Sequence, residues 1–209
     1  MEKNYKDVIF PKNAGKKELK RALKKAWQLR DFEIGLYWKR TIYFSTFIGA
    51  LFVGFYNIRD DCSLKTIIAI LGTAISWVWF LTNKGSKFWQ ENWENHIIFL
   101  EQEFNSEIYS VTLNKSGECF FNPLNGHSYS ISRLNGFIVL LIWMAWVFLL
   151  IKELFFNMVS LCEVIASFIA ILIFYIFLSL ISDLLFASQK NFSERGKIKG
   201  ADIEYRRTK

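Results

Sequence analysis

Histidine and glutamate side chains within one short segment form the first set of residues that could do chemistry. His96 lies among Glu91, Glu94, Glu101 and Glu103, and imidazole and carboxylate groups are common zinc ligands. A zinc site takes three or four protein ligands, whereas a single histidine among helical glutamates is more typical of a solvated polar face. We therefore predict that this segment binds no metal.

Two carboxylates beside an apolar part of the chain form a second set. Glu163 and Asp183 flank the apolar run 164–181, and acidic residues within membranes often belong to ion or proton pathways. Their separation of 20 residues corresponds to about 30 Å of helix, which is also the thickness of the hydrocarbon core. We therefore predict that they mark two membrane interfaces rather than a proton relay.

Sequence motifs of enzymes are not found in this chain. It has no glycine-rich phosphate loop followed by Lys-Ser or Lys-Thr, no Gly-x-Ser-x-Gly turn and no paired Cys and His cluster. Residues 83–87 are rich in Lys, Gly and Ser but lack the spacing of a phosphate loop. We predict that the protein is not an enzyme and binds no cofactor.

Four long apolar runs without charged residues dominate the chain, at 41–58, 67–81, 134–151 and 164–181. At about 1.5 Å of rise per residue, ~18 residues cover most of the about 30 Å of hydrocarbon in a bilayer. The second run reaches this length if it extends over 64–83. The predicted fold class is an all-α membrane protein with four transmembrane helices and a small cytoplasmic layer of helix and β-hairpin.

Basic residues are unevenly distributed among the segments outside these runs. Of the 26 Lys and Arg residues, 23 fall in 1–40, 84–133 and 187–209, which share one side of a four-span topology. The positive-inside rule places that side, with both termini, in the cytoplasm. Contacts with anionic lipid explain the net charge of +7, so we predict lipid partners and no nucleic acid.

The cysteines divide between the two sides of this topology. Cys62 and Cys162 fall on the outer side, and Cys119 falls on the inner side. A disulfide between Cys62 and Cys162 is one alternative, because the outer side is oxidising. Two unpaired thiols are the alternative that we favour.

The N-terminal segment contains a basic amphipathic helix. Residues 1–15 have no apolar period and predict a mobile arm, whereas Leu19, Leu23 and Ala26 recur at helical spacing among lysines. The helix, at 16–34, either lies on the cytoplasmic leaflet or packs its apolar face against the internal loop. We favour packing, because the apolar face is narrow.

The segment after the second run predicts a packing surface. Trp89, Trp93, Ile97 and Leu100 share one helical face, which needs a partner from helix 16–34 of the same subunit or of a neighbour. Beyond it, β-prone residues at 108–113 and 119–121 surround a turn containing glycine. This pattern predicts the β-hairpin.

Small residues within the apolar runs predict close packing of helices. Ala50 and Gly54 lie four residues apart with Gly49 beside them, and Gly72 and Ser76 repeat the spacing in the next run. Such pairs let helix backbones approach each other in a membrane.

Basic and aromatic residues at the ends of the runs predict membrane-interface anchors. Trp38, Lys39 and Arg40 precede the first run, and Lys84 and Lys87 follow the second. Lipid headgroup binding at Lys84 and Lys87 is the alternative that we weigh below simple anchoring.

Three segments, 36–40, 83–94 and 129–135, resemble the RipA-like octameric bacterial inner-membrane proteins. The resemblance extends over residues 30–150, and the tryptophan-rich segment 83–94 is its most specific part. It implies a homo-oligomer of eight subunits in the cytoplasmic membrane, with a link to envelope physiology or growth inside a host cell. It implies no catalytic residues.

The predicted function is therefore that of a homo-oligomeric scaffold or regulatory protein of the bacterial inner membrane. The alternative is an oligomeric ion or solute channel with its pore on the oligomer axis. The five predicted segments are the arm and amphipathic helix 1–40, the helical hairpins 41–83 and 134–186, the cytoplasmic segment 84–133 and the basic tail 187–209.

Overall fold

The computed structural model describes residues 2–3, 5–10, 14–59, 61–106, 108–111, 130–155, 161–186, 192–198 and 204–208. Its elements in chain order are β1 (Glu2–Lys3), α1 (Tyr5–Ile9), α2 (Lys16–Asn57), α3 (Cys62–Gln102), α4 (Ile131–Phe155), α5 (Leu161–Phe186), β2 (Phe192–Ile198) and β3 (Glu204–Thr208). The chain divides into two compact units. Unit 1 comprises Met1–Arg30, Asn92–Thr112 and Ile181–Lys209, and unit 2 comprises Asp31–Glu91 and Leu113–Leu180.

Unit 1 has a helical core. Leu19 and Ala26 of α2 pack with Ile97 and Leu100 of α3, because spacings of seven and of three residues each put two side chains on one helical face. Tyr5 and Val8 of α1 complete this core. The prediction of a mobile arm at 1–15 is thus wrong for α1, whose buried pair lies three residues apart.

The strands of unit 1 come from the terminal segments. β1 pairs in parallel with β2, with Glu2 opposite Lys197, and β2 pairs antiparallel with β3, with Arg195 opposite Arg206. The predicted basic tail, 187–209, therefore contains β2 and β3.

A specific hydrogen-bond pattern ends α3 in unit 1. Asn105 adopts a left-handed conformation with φ of 51°, which asparagine tolerates better than most residues. Its N–H donates to the Gln102 carbonyl at 3.1 Å, and the Ser106 N–H donates to the Glu101 carbonyl at 3.1 Å. These are the two bonds of a Schellman motif, which turns the chain sharply after the helix.

The predicted β-hairpin layer is wrong where the structure describes it. Residues 108–110 form a turn, and the Tyr109 N–H donates to Glu101 Oε2 at 2.9 Å. The Schellman motif and this bond hold the segment against the end of α3, so its backbone is not free for strand pairing. The proposed second strand at 119–121 lies outside the described residues.

Unit 2 consists of helices over its described residues, with tryptophan at the centre of the packing. Asp61 caps α3, because its Oδ1 accepts from the Leu64 N–H at 2.9 Å. Trp146 of α4 packs in one cluster with residues of α2 and α3. Trp143 of α4 packs in a second cluster with Trp77 of α3 and residues of α5.

The prediction of four transmembrane helices is also wrong. Within the described chain, two helices are long and apolar enough to cross a membrane, Cys62–Gln102 and Ile131–Leu154. Helix α2 ends at Asn57, so its last 18 residues include the charged Arg40 together with several hydroxyl side chains. In α5 the described apolar stretch is Ile169–Ile181, which is shorter than the ~20 residues that a span needs.

Candidate functional site

Residues from each of the three segments that carry the family resemblance contact one another in unit 2. Arg40 Nη1 donates to Ser86 Oγ at 2.7 Å, which joins α2 to α3. Asn135 Nδ2 donates to Tyr37 Oη at 2.6 Å, which joins α4 to α2. Tyr37 is 2% exposed, so its hydroxyl has little access to water and relies on Asn135 as its hydrogen-bond partner. The junction of these four residues is the candidate functional site.

The predicted packing glycines differ in their surroundings in unit 2. A Cβ atom on Gly72 would lie 2.5 Å from Cε2 and Cε3 of Trp146, so only glycine lets α3 approach this ring. A Cβ on Gly54 would meet Ile68 at 3.7 Å, an ordinary contact, and one on Gly49 would meet nothing within 4 Å. Close approach within the subunit is therefore a property of Gly72 alone among these three.

Indole groups in unit 2 are buried by stacking on other rings. Trp146 stacks on Phe52 with ring centroids 4.2 Å apart, and Trp143 stacks on Phe174 at 5.9 Å. The Nε1 atoms of Trp79, Trp143 and Trp146 are buried without a hydrogen-bond partner among the described residues. Aromatic packing rather than hydrogen bonding holds these side chains in place.

A cleft opens beside the junction, between α3 and α4. Its volume is about 440 Å³, and Lys84 and Lys87, predicted as interface anchors, line it with Arg133 of α4. Phenylalanine and leucine side chains form most of its remaining wall: Phe80, Phe88, Phe137 and Leu140. The cleft thus combines apolar walls with three basic side chains and one carboxylate, that of Glu91.

The other predicted anchors whose side chains the structure describes are exposed, as is Trp89 of the predicted packing face. Trp38 is 43% exposed, Lys39 is exposed, and Trp89 is 42% exposed. The side chains of Glu163 and Asp183 lie outside those that the structure describes, as do the side chains of Cys119 and Cys162. Cys62 is an exposed free thiol.

The predicted packing face of α3 is divided between the two units. In unit 1, Ile97 and Leu100 are 0% and 2% exposed and contact the 16–34 segment of α2 through Leu19 and Ala26. Trp93 is half-buried with its ring 5.5 Å from that of His96. The face therefore has a partner within the same subunit in unit 1.

His96 lies half-buried in unit 1, so the expected solvated face is wrong at this position. Its Nδ1 is 2.9 Å from Tyr5 Oη, and the Tyr5 ring stacks on Phe99 at 4.8 Å. Burial lowers the pKa of His96 and raises that of Tyr5, which favours the neutral form of both. Reasoning from the sequence missed this pair, because Tyr5 lies 91 residues from His96.

The glutamates near His96 have other partners in unit 1. Glu94 lies 3.6 Å from Arg30 Nε, which also donates to Tyr109 Oη at 3.2 Å. Burial, followed by the neighbouring Glu94, raises the pKa of Tyr109. Across the residues searched, no three His, Cys, Asp or Glu side chains converge as a metal site.

Large apolar side chains cover much of the exterior of unit 2. Examples with at least half of their surface exposed come from α2, α4 and α5: Tyr43, Phe47, Phe137, Ile138, Ile173 and Leu180. The interior of the same unit holds Ser76 and Asn83, which are 0% and 6% exposed. An apolar exterior around polar and aromatic contacts is typical of a protein in lipid.

A comparison with known protein families also points to a membrane protein. Residues 20–155 match the model of the octameric membrane protein family (8xMP). The chain belongs to this family. The match includes the junction and the cleft, and the resemblance to RipA-like proteins is confirmed. No curated protein and no solved structure matches the chain.

Proposed function

We propose that this membrane protein is a non-catalytic scaffold or regulator of the bacterial cytoplasmic membrane, working as a homo-octamer. The apolar exterior of unit 2 carries the proposal, since it is too extensive for a monomer in water and offers surface to both lipid and other subunits. Family membership supports eight copies. The basic residues of α2 in unit 1 favour a position at the cytoplasmic leaflet.

One aromatic pair is our candidate for contact between subunits. Phe88 and Trp89 are 63% and 42% exposed, and their rings lie 5.5 Å apart. They follow the apolar run 67–81 on a stretch of α3 that contains Gln90, Glu91 and Asn92. Exposed aromatic residues next to polar ones are enriched in protein interfaces, so we assign this pair to an intersubunit contact.

Native mass spectrometry of protein released from lipid nanodiscs tests the proposal. We expect the parent protein to be octameric, and Trp89→Ala to lower the octamer fraction while leaving the unfolding midpoint unchanged. Tyr56→Ala is the matched control. Tyr56 is also exposed, at 70%, but it lies at the C-terminal end of α2, away from Trp89. An octamer that survives Trp89→Ala contradicts the assignment of this pair.

Ion flux measured in liposomes tests the scaffold against the channel. We expect reconstituted parent protein to conduct no ions above the level of empty liposomes. A flux that depends on the protein and is lost when the octamer dissociates would replace the scaffold with the channel.

A further inference from the structure

We propose that the cleft between α3 and α4 binds one anionic phospholipid per subunit. The proposal goes beyond the scaffold role, because it concerns a ligand site within a single subunit. Three features support it: a polarity gradient along the cleft, an excess of positive charge and an unpaired buried amide.

The polarity of the cleft changes along its length. Gly72 packs against Trp146 and Trp77 against Trp143, so α3 and α4 run antiparallel. Phe80 and Leu140 therefore share one end of the cleft, next to the apolar run, and Lys87 and Arg133 share the other. An apolar end followed by a basic end matches a lipid, whose acyl chain and phosphate are arranged in the same order.

The lining of the cleft has more positive than negative charge. Lys87 Nζ is 3.4 Å from Glu91 Oε1, which pairs one of the three cations. Lys84 contacts the Phe80 ring, with Nζ 5.8 Å from its centroid, and among the described residues neither Lys84 nor Arg133 has a carboxylate within ion-pair distance. Two cations thus remain for a phosphate diester, and basic pockets between membrane helices bind anionic headgroups.

Asn83 provides a separate indication of a ligand. It lines the cleft, it is 6% exposed, and its Nδ2 has no hydrogen-bond partner in the described chain. Buried amide groups are nearly always hydrogen-bonded. A phosphate or ester oxygen, directly or through one water, would satisfy this donor.

Gly136 keeps the cleft open on the side of α4. It lines the wall, and a Cβ atom placed on it would meet nothing within 4 Å. A large side chain at this position can therefore occupy the cleft without a clash at the backbone. This gives a variant that removes the space and leaves Lys84 and Arg133 unchanged.

The test is lipid retention by purified protein in nanodiscs that contain equal amounts of phosphatidylglycerol and phosphatidylcholine. Native mass spectrometry counts the lipids that remain on each subunit. We expect the parent protein to retain about one phosphatidylglycerol per subunit in preference to phosphatidylcholine. Replacing Lys84 and Arg133 by Gln should reduce this preference about fivefold per cation, since each basic residue near a membrane surface contributes about that factor.

Gly136→Phe should abolish retention of the bound lipid. Gly49→Phe is the matched control, because Gly49 is equally open but lies outside the cleft, and it should retain the lipid. Unfolding midpoints of both variants establish that they fold. If Gly136→Phe fails to fold, the Lys84 and Arg133 variant decides.

Five results would each overturn the proposal. Equal retention of the two lipids by the parent excludes recognition of the anionic headgroup. Unchanged retention in a folded Gly136→Phe protein, or in the Lys84 and Arg133 variant, places the lipid elsewhere. If millimolar inorganic phosphate displaces the lipid and Gly136→Phe retains it, the cleft is a simple anion site. If Gly136→Phe loses the octamer but retains the lipid, a neighbouring subunit occupies the cleft.

Discussion

Unit 1 and unit 2 differ in whether their buried polar side chains have hydrogen-bond partners. In unit 1, the Tyr5 hydroxyl bonds His96 and the buried Glu101 carboxylate accepts from the Tyr109 N–H. In unit 2, three indole N–H groups are buried without partners among the described residues, and large apolar side chains cover the exterior. Unit 1 therefore pairs these buried polar groups within the protein, whereas unit 2 has the apolar exterior that suits apolar surroundings.

The same comparison separates two kinds of contact between distant segments. Unit 1 joins its helices through a mainly aliphatic core that includes the Tyr5 ring, with polar pairs at its edge. Unit 2 joins them through aromatic stacking, one point of close backbone approach at Gly72 and the junction hydrogen bonds of Arg40 and Asn135. We expect substitutions in the two units to differ in size and in sensitivity to pH.

The largest expected effect is in the core of unit 1. Ile97→Ala removes a fully buried side chain and should destabilise unit 1 by about 2–5 kcal/mol, as such core truncations do. Hydrogen exchange of peptides from 92–106 should increase, while exchange of peptides from 67–81 should not. Ile108→Ala is the control, because Ile108 is 81% exposed. Equal increases in both peptides would show that the two units unfold together.

A smaller effect is expected at the close approach in unit 2. Gly72→Ala forces the Trp146 ring to move, and overpacking of this kind costs about 1–3 kcal/mol. The thermal unfolding midpoint in detergent measures it, with Gly49→Ala as the control, since Gly49 has open space around it. A Gly72→Ala midpoint equal to that of Gly49→Ala would contradict the contact with Trp146.

Parts of both cores could be predicted from the sequence. The helical spacing of Ile97 and Leu100, and of Leu19 and Ala26, indicates one apolar face on each helix, and these faces meet in unit 1. Gly72 was identified by its spacing from Ser76, but its partner Trp146 depends on how α3 and α4 align. Sequence spacing carries no information about that alignment.

The wrong predictions have local causes. The β-hairpin failed because the left-handed Asn105 and the Glu101 carboxylate fix the chain after α3. The four-span prediction failed because the last 18 residues of α2, which ends at Asn57, include Arg40 and several hydroxyl side chains, and because the apolar stretch described in α5 is only Ile169–Ile181. The junction bonds of Arg40 and Asn135 were missed for a third reason, since hydrogen bonds 46 and 98 residues apart leave no periodic signal.

The polar junction of unit 2 should contribute less than either core. Asn135→Leu leaves the buried Tyr37 hydroxyl without its donor and should cost about 1 kcal/mol, the usual net value of one hydrogen bond. Adding Tyr37→Phe should recover most of this loss, because removing both partners is nearly neutral. Midpoints of the single and double variants, measured together, give the coupling. Additive losses would mean that the two side chains do not interact.

The last prediction concerns pH and only unit 1. His96 lies in the part of α3 beyond the apolar run 67–81, and burial lowers its pKa from the ordinary value of 6.5. Below that value the unfolded chain takes up a proton that folded unit 1 resists, so the stability that His96 contributes is present above pH 6.5 and falls as the pH is lowered through that value.

Protection of peptides from 92–106 against hydrogen exchange, corrected for the intrinsic effect of pH, should therefore decrease between pH 7.5 and 5.5. His96→Asn should remove this decrease, because its Oδ1 can still accept from Tyr5 but does not titrate. The slope of peptides from 67–81 should be the same in both proteins, and a slope in 92–106 that persists in His96→Asn would assign the pH dependence to another group.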